Sequence, residues 1–303
     1  MKQNLLYGGI EAGGTKFVCA VVDIKGSIHA KIHIPTTTPK ETLSLVCDFF
    51  SSYYKDLRGI GIGSFGPLDL DPASSRFGAI TSTPKAGWSY FNILEVVRLA
   101  FSRDLAVAID TDVNAAALGE HTFGAAKGVD SFIYLTVGTG IGGGAMIEGK
   151  LLHGLTHPEM GHLYPAHDRV LDPFEGVCPY HQNCLEGLAS GPAMIARWKL
   201  GENAAATELP SGHRGWELEA YYLASALLNY IMILSPKKII LGGGVMKHPP
   251  LLTMIRQQVQ SLAKNYIVHP LLQHSIDDFI VPPMLGDHSG VLGASVLAHN
   301  KIF

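Results

Sequence analysis

The densest chemistry in the chain lies in Cys178-Pro-Tyr-His181-Gln-Asn-Cys184, three soft ligands at intervals of three. With His162 upstream they make a Cys2His2 set of the kind that holds tetrahedral zinc. Four protein ligands leave no open position, so the predicted site is structural. Bound Zn2+ would brace the loop-like segment 163–177 with a folding contribution of about 10 kcal/mol. His157 and His167 also lie near enough in sequence to supply the fourth ligand. Without a metal, the same residues are two buried cysteines and two incidental histidines.

Carboxylates supply a second chemistry. Asp110-Thr-Asp112-Val-Asn114 follows a strand-like run, 106–109, and opens a helical run, 113–120. Ligands of open α/β sheets gather at such junctions. Asp112 placed there can take a proton from a hydroxyl, and Asn114 can donate to and accept from sugar oxygens. Asp110 or Asp112 could equally serve as the helix N-cap. Glu159-Met-Gly-His162 sets a carboxylate beside the predicted metal ligand, and Glu186 follows Cys184 by two. If His162 and Cys184 share one ion, Glu159 and Glu186 are drawn together and suit several hydroxyls of a sugar.

Glycine turns supply a third chemistry. Gly13, Gly14, Thr15 and Lys16 separate the apolar runs 5–10 and 17–22. Gly138, Thr139 and Gly140 open a glycine-rich stretch between the runs 131–137 and 145–147, about 125 residues later. Strand, glycine turn, strand, repeated, predicts two halves of common design. Such turns present backbone N–H groups and a hydroxyl to an anion, so a pair of them can grip a polyphosphate. Gly242, Gly243 and Gly244 follow the strand 238–241 and would let a nucleotide base or ribose approach the backbone. The G-x-G-x-x-G strings at 61–66 and 138–143 lack the helix that a dinucleotide fingerprint requires. Gly14-Thr15-Lys16 reverses the order of a Walker motif.

The elements that must position these residues alternate between strand and helix, which predicts an α/β architecture. Helical spacing appears at 38–54, 91–101 (Asn92 as cap), 113–120, 191–199, 216–234 and 251–264, with a further strand at 59–64. Segment 200–214 reads as a loop. The chain has 303 residues, 47% of them apolar and 16% charged. That composition excludes disorder and allows a large core in two domains. The net charge is −3, with no basic stripe, so binding of nucleic acid is not expected. The longest apolar stretch, 220–234, is broken by Ser225 and Asn229 and predicts a buried helix, not a membrane span. No signal peptide is expected, and four cysteines fit a cytoplasmic location.

Together these strings resemble the ROK family of sugar kinases and sugar-responsive repressors, and its bacterial fructokinase branch above all. Glu11-Ala-Gly-Gly-Thr-Lys16 is similar to the first phosphate motif, Gly138-Thr-Gly-Ile-Gly-Gly143 to the second, and Leu241-Gly-Gly-Gly-Val245 to the adenosine loop. The resemblance implies an actin-like ATPase (ribonuclease H-like) fold. Two α/β domains, each on a mixed five-stranded sheet, would close a cleft on sugar and ATP. The first would span 1–115 plus a returning C-terminal helix, about 289–303, and the second 116–288 with the zinc loop. The implied activity is ATP-dependent phosphorylation of fructose. Another hexose (glucose, mannose or an amino sugar) is the alternative. A repressor is disfavoured because the first phosphate motif begins at Gly8, leaving no room for a helix-turn-helix domain before it.

The same resemblance implies that Asp112 is the general base and that Asn114, Glu159, His162 and Glu186 contact the sugar. Thr139 would meet the ATP phosphates, Pro192 would lie beside the nucleotide, and Mg2+ would accompany ATP. A homodimer is the family's habit. Three positions depart from the family pattern. Glu11 stands where Asp is usual, Thr111 stands where Asn is usual, and His181 replaces a cysteine of the metal loop. The strings 63–69 and 80–88 resemble the fructokinase branch and would lie on the sugar side.

Overall fold

Two mixed sheets of five strands each are assembled in the same way. The computed structural model describes residues 5–101, 105–201 and 204–302. The first sheet contains β1 (Leu6–Ala12), β2 (Lys16–Asp23), β3 (Ile28–Pro35), β4 (Leu57–Ser64) and β5 (Ala106–Thr111), in the order β3-β2-β1-β4-β5. The second contains β6 (Phe132–Val137), β7 (Ile141–Ile147), β8 (Lys150–Leu151), β9 (Lys238–Gly242) and β10 (Ile280–Val281), in the order β10-β9-β6-β7-β8. In each, the first strand is central. It pairs antiparallel with the second strand and parallel with the fourth. The repeat inferred from the two glycine turns is thus a repeat of whole-sheet topology.

The helices are α1 (Pro39–Ser51), α2 (Ile93–Ala100), α3 (Asp112–Phe123), α4 (Leu185–Ala189), α5 (Gly191–Trp198), α6 (Gly215–Leu234), α7 (Pro249–Ala263), α8 (Pro270–Gln273), α9 (Ile276–Phe279) and α10 (Ser289–Ile302). Their starts follow from capping chemistry. Thr38 accepts the Glu41 N–H at α1, and Asn92, as predicted, accepts the Glu95 N–H at α2. Leu43, Val46 and Phe50 of α1 recur at helical spacing and are buried with Ile10, Phe17 and Ile62 in the core of the first sheet. A second core gathers Ile133, Leu135, Trp216, Leu227 and Ile255. Helix α6 lies inside it, and no helix of the described residues is long and apolar enough to cross a membrane.

Helices α3 and α10 occupy equivalent places, each following the last strand of its sheet. They pack on each other, and α10 also runs across β1, β4 and β5. The crossing is close: a methyl group on Gly293 would lie 1.6 Å from the carbonyl oxygen of Ala115. Buried Glu120 of α3 fixes the approach. It accepts hydrogen bonds from the N–H groups of Met284 and Leu285 and from the Ser289 hydroxyl. The last helix therefore packs against the first sheet.

Several elements differ from the sequence reading. β3 was not anticipated, although its apolar residues alternate with His29, Lys31 and His33. It is an edge strand, mostly exposed, and carries the polar residues that edges favour. β7 begins at Ile141, four residues earlier than expected, so Gly142 to Gly144 belong to a strand. Gly61 and Gly63 lie within β4, in the strand expected at 59–64. These glycines are strand residues kept bare because helices cross close over them. The elements β8, β10, α4, α8 and α9 have five residues or fewer, too few for a periodic pattern to register. Segment 200–214 contains a short 3-10 turn at Ala206–Glu208, and residues 202–203 lie outside the described residues.

Candidate active site

Asp112 is the first residue of α3, at the seam between the two sheets. Three glycines clear its place. A methyl group on Gly63 of β4 would lie 3.3 Å from the Asp112 Cα. On the other side, methyl groups on Gly142 and Gly144 of β7 would meet Val113 Cγ1 at 2.9 Å and Asn114 Oδ1 at 2.6 Å. The helix is capped by neither neighbouring aspartate. Thr111 Oγ1 accepts the Asn114 N–H at 3.1 Å. Thr111, 4% exposed, is therefore committed to the helix, and Asp112 keeps part of its surface open. Burial pushes the Asp112 carboxyl up to about 6 despite the N–H of Val113.

Other carboxylates share its field. Glu11, at the end of β1, is pushed up to about 7 by burial first and then by the Asp112 charge. Its carboxylate lies over the start of α10 and takes the Val291 N–H, while Oε2 has no hydrogen-bond partner. Gly290 makes this possible: a methyl group there would be 2.5 Å from Glu11 Cδ. The extra methylene of Glu at this position is thus matched by a missing side chain opposite. Glu159 is pushed up to about 7 by burial, then by Glu186 and Asp112. Glu186 itself accepts the Ile141 N–H through Oε2 at 2.9 Å, beside Gly140. His157 Nδ1 stands 3.5 Å from Glu159. Its Nε2 accepts the Leu68 N–H at 3.0 Å, so the ring proton is on Nδ1, and burial holds its pKa down.

Asn114 is buried, 1% exposed. Its Nδ2 donates to Asp110 Oδ1 at 2.8 Å, and its Oδ1 is left without a partner. That oxygen is an unspent acceptor at the head of α3. Asp110 also holds His153 Nε2 at 2.9 Å. Sequence reasoning missed His153 and considered His157 only as a metal ligand. Neither has a spacing signal, because both are delivered by the loop after β8. Trp88, in a string placed on the sugar side, is fully buried in the first core, its Nε1 donating to the Thr37 carbonyl.

Both glycine turns lie at hairpin tips. In the first, the Gly13 N–H donates to the Lys16 carbonyl, and Thr36 braces the turn with bonds to Gly13 and Thr15. Gly14, Thr15 and Lys16 are exposed. In the second, the Gly138 N–H donates to Gly140, and Thr139 is exposed. The Gly191 N–H donates to Gly138, which brings exposed Pro192 to this turn. Gly243 adopts a φ of +98°, and a Cβ there would lie 2.3 Å from the Val137 carbonyl oxygen. Gly242 to Gly244 thereby fold back against the end of β6, and a methyl group on Gly138 would lie 3.9 Å from the Gly244 nitrogen.

The Cys2His2 set also comes together. One donor atom from each of His162, Cys178, His181 and Cys184 lies within 4.8 Å of the others. His162 Nδ1 is 3.4 Å from Cys184 Sγ and 3.9 Å from Cys178 Sγ, and His181 Nδ1 is 3.7 Å from Cys178 Sγ. Tetrahedral zinc with these ligands gives N-to-S edges of about 3.5 Å, so the donors fit the ion. The fourth donor is His162. His157 is turned to Leu68 and Glu159, and His167 to Asp172 and Asn183. The turn is closed by paired backbone bonds between Cys178 and Gln182, and the 3-10 turn Met160–His162 is pinned by the Tyr230 hydroxyl on the Met160 carbonyl. Burial pushes the Cys184 thiol up to about 11. A thiolate there needs a cation beside it.

The family model described as ROK family matches residues 7–301. The chain belongs to the ROK family. This ROK protein is 52% identical over 297 residues to a Bacillus subtilis (strain 168) protein described as "Putative fructokinase", covering 98% of this chain and 96% of that one. It is 43% identical to a fructokinase of Zymomonas mobilis, covering 97% and 96%. Among solved structures, a ROK glucokinase from Streptomyces griseus in complex with glucose and AMPPNP superposes with a TM-score of 0.75 at 26% identity, covering 97% of this chain and 99% of that one. The paired sheets of this ROK chain are the actin-like ATPase fold.

Proposed function

We propose that this ROK protein is an ATP-dependent fructokinase, transferring the γ-phosphoryl group of ATP to the 6-hydroxyl of D-fructose. The relatives called fructokinases support the substrate. One observation carries the chemistry: a single aspartate, relieved of capping by Thr111 and raised to about 6 by burial, sits where the two sheets meet. A carboxylate of that basicity is ionised at neutral pH and matched to a transient alcohol proton.

Phosphoryl transfer needs positioning and charge neutralisation more than covalent chemistry. The fructose hydroxyl gives its proton to Asp112 while its oxygen bonds to the γ-phosphorus. The bond to the β–γ bridging oxygen breaks, and ADP leaves. Glu159 and Glu186 accept hydrogen bonds from the other sugar hydroxyls, with His162 offering the ring nitrogen turned away from the thiols and Asn114 its unpaired Oδ1. Gly13, Gly14, Thr15 and Lys16 hold the triphosphate from one lobe, and Gly138, Thr139 and Gly140 from the other. Pro192 and Gly242 to Gly244 receive the adenosine. Mg2+, when bound with ATP, neutralises phosphate charge, and the unpartnered Glu11 Oε2 fits a role in holding its water. Zn2+ held by His162, Cys178, His181 and Cys184 fixes the loop that presents Glu159 and Glu186.

In this reading the lobes divide near residue 115, with α10 rejoining the first, and close on the substrates to exclude water. It also takes the protein as a cytoplasmic homodimer that binds no nucleic acid. The four unpaired cysteines and the net charge of −3 support the location and the lack of a nucleic-acid partner. A coupled ADP-release assay across fructose, glucose, mannose and amino sugars tests the substrate. Fructose should give the highest kcat/KM, and a faster aldohexose would overturn the assignment.

A further inference from the structure

We propose that His153 is a positioning residue for this reaction, reaching from the second sheet to lock Asp110 and the first turn of α3 that carries Asp112. The inference rests on the reading of Asp112 as the base. His153 follows β8 by two residues, whereas Asp110 is the penultimate residue of β5 in the other sheet. His153 Nε2 lies 2.9 Å from Asp110 Oδ2, and the backbone of Leu151 engages the ring as well. Asp110 is only 5% exposed. Its Oδ1 accepts the Thr111 N–H at 2.7 Å and Asn114 Nδ2 at 2.8 Å. Asn114 Nδ2 is itself 3.4 Å from His153 Nε2. Asp110 thus ties together the residues that bracket Asp112, and His153 holds its other oxygen from the opposite sheet.

Because the pair spans the two sheets, any shift of one against the other must stretch or remake it. A base misplaced by about 1 Å can lose on the order of 100-fold in rate, so a rigid tie two residues away bears directly on turnover. The hydrogen bond to Asp110, then the Asp110 charge against the cost of burial, raises the His153 pKa, so the ring keeps its extra proton to higher pH than an ordinary imidazole. The other titratable neighbours are His157, on the same loop, and Asp71. Asp71 lines with His153 and Asp110 an open cavity of about 640 Å³. Loss of the charge weakens this tie and leaves the Thr111 N–H and Asn114 Nδ2 as the other donors to Asp110.

The test uses His153→Ala and His153→Gln in the full-length protein, with kcat, both KM values, pH profiles and thermal melts. His153→Ala should lower kcat about tenfold or more and leave the KM for ATP unchanged. The native protein should show an alkaline decline in kcat, and both variants should lose it. His153→Gln, which keeps one N–H donor, should recover part of kcat. A fall in Tm with native kcat and a native pH profile would overturn the proposal and leave a structural contact. Should the Ala variant fold poorly, the pH profile of the Gln variant decides. An active Asp112→Asn variant would instead overturn the base itself. Inactive Asp112→Asn with native His153 variants would overturn this inference alone.

Discussion

Replacing Asp112 by Asn removes the proposed proton acceptor and little else. The amide oxygen can still accept the Val113 N–H that Oδ1 takes now at 2.9 Å, and Thr111 still caps the helix. Burial raises the carboxyl from an ordinary 3.8 to about 6. At about 1.4 kcal/mol per pH unit, that is about 3 kcal/mol of differential stabilisation of the protonated form. The side chain is therefore a base about 100-fold stronger than an ordinary aspartate, yet about nine-tenths ionised at pH 7. Loss of a general base of this kind costs about 10²- to 10⁴-fold in rate, which is about 3–5 kcal/mol of barrier. The removed charge also relieves Glu11 and Glu159, whose values should fall from about 7. The assay is ADP release at saturating fructose and Mg-ATP from pH 5 to 9, with calorimetry of each ligand alone. The native protein should show kcat/KM rising with pH through an apparent value near that of Asp112, drawn upward by its coupling to Glu11 and Glu159. The variant should bind both ligands and turn over at least a hundredfold more slowly. A kcat within tenfold of native would remove Asp112 from the role.

Three further outcomes follow from the same structure. Glu11 and Glu159 have folded-state values of about 7 against an ordinary 4.5, so the folded state holds more protons than the unfolded one across that window. Stability of the ligand-free protein should fall as pH rises from about 4.5 to 7, and Glu11→Gln should flatten the fall; a Tm that climbs over this range would contradict the cluster. Stripping zinc with a chelator should lower Tm, weaken sugar binding and be reversed by added Zn2+, with one zinc per chain by elemental analysis. Full activity and unchanged Tm in metal-free protein would refute a structural ion. Gly243→Ala places a Cβ 2.3 Å from the Val137 carbonyl oxygen at a φ of +98°. It should destabilise the fold by more than about 1 kcal/mol and raise the KM for ATP more than that for fructose, and native values for both would refute that reading of the loop.

Elements with a long periodic signal were legible in the sequence. α1, α2 and α7 bury residues at helical spacing, and their starts carry Thr38, Asn92 and Pro249, which fix helix ends by local chemistry. The pairing of the sheets was legible only through the two glycine turns, which mark the same hairpin in each half. Gly142 to Gly144 were harder. A glycine-rich string reads as a loop until the helix that lies against it is known, and that helix is distant in sequence. Three of the four clustered donors could be named because seven residues of sequence hold them. His162 required the fold, since three histidines competed for the fourth place. Thr111 and Gly290 show the same limit. The first commits a hydroxyl to a helix cap and the second makes room for Glu11, and neither role can be seen without its partner.

The most direct measurement is a crystal structure of the protein with fructose, a non-hydrolysable ATP analogue and Mg2+. The account predicts the triphosphate between Gly13–Lys16 and Gly138–Gly140, with an Asp112 oxygen about 3 Å from the sugar 6-hydroxyl. A sugar bound away from Asp112, or one presenting a different hydroxyl to it, would contradict the account.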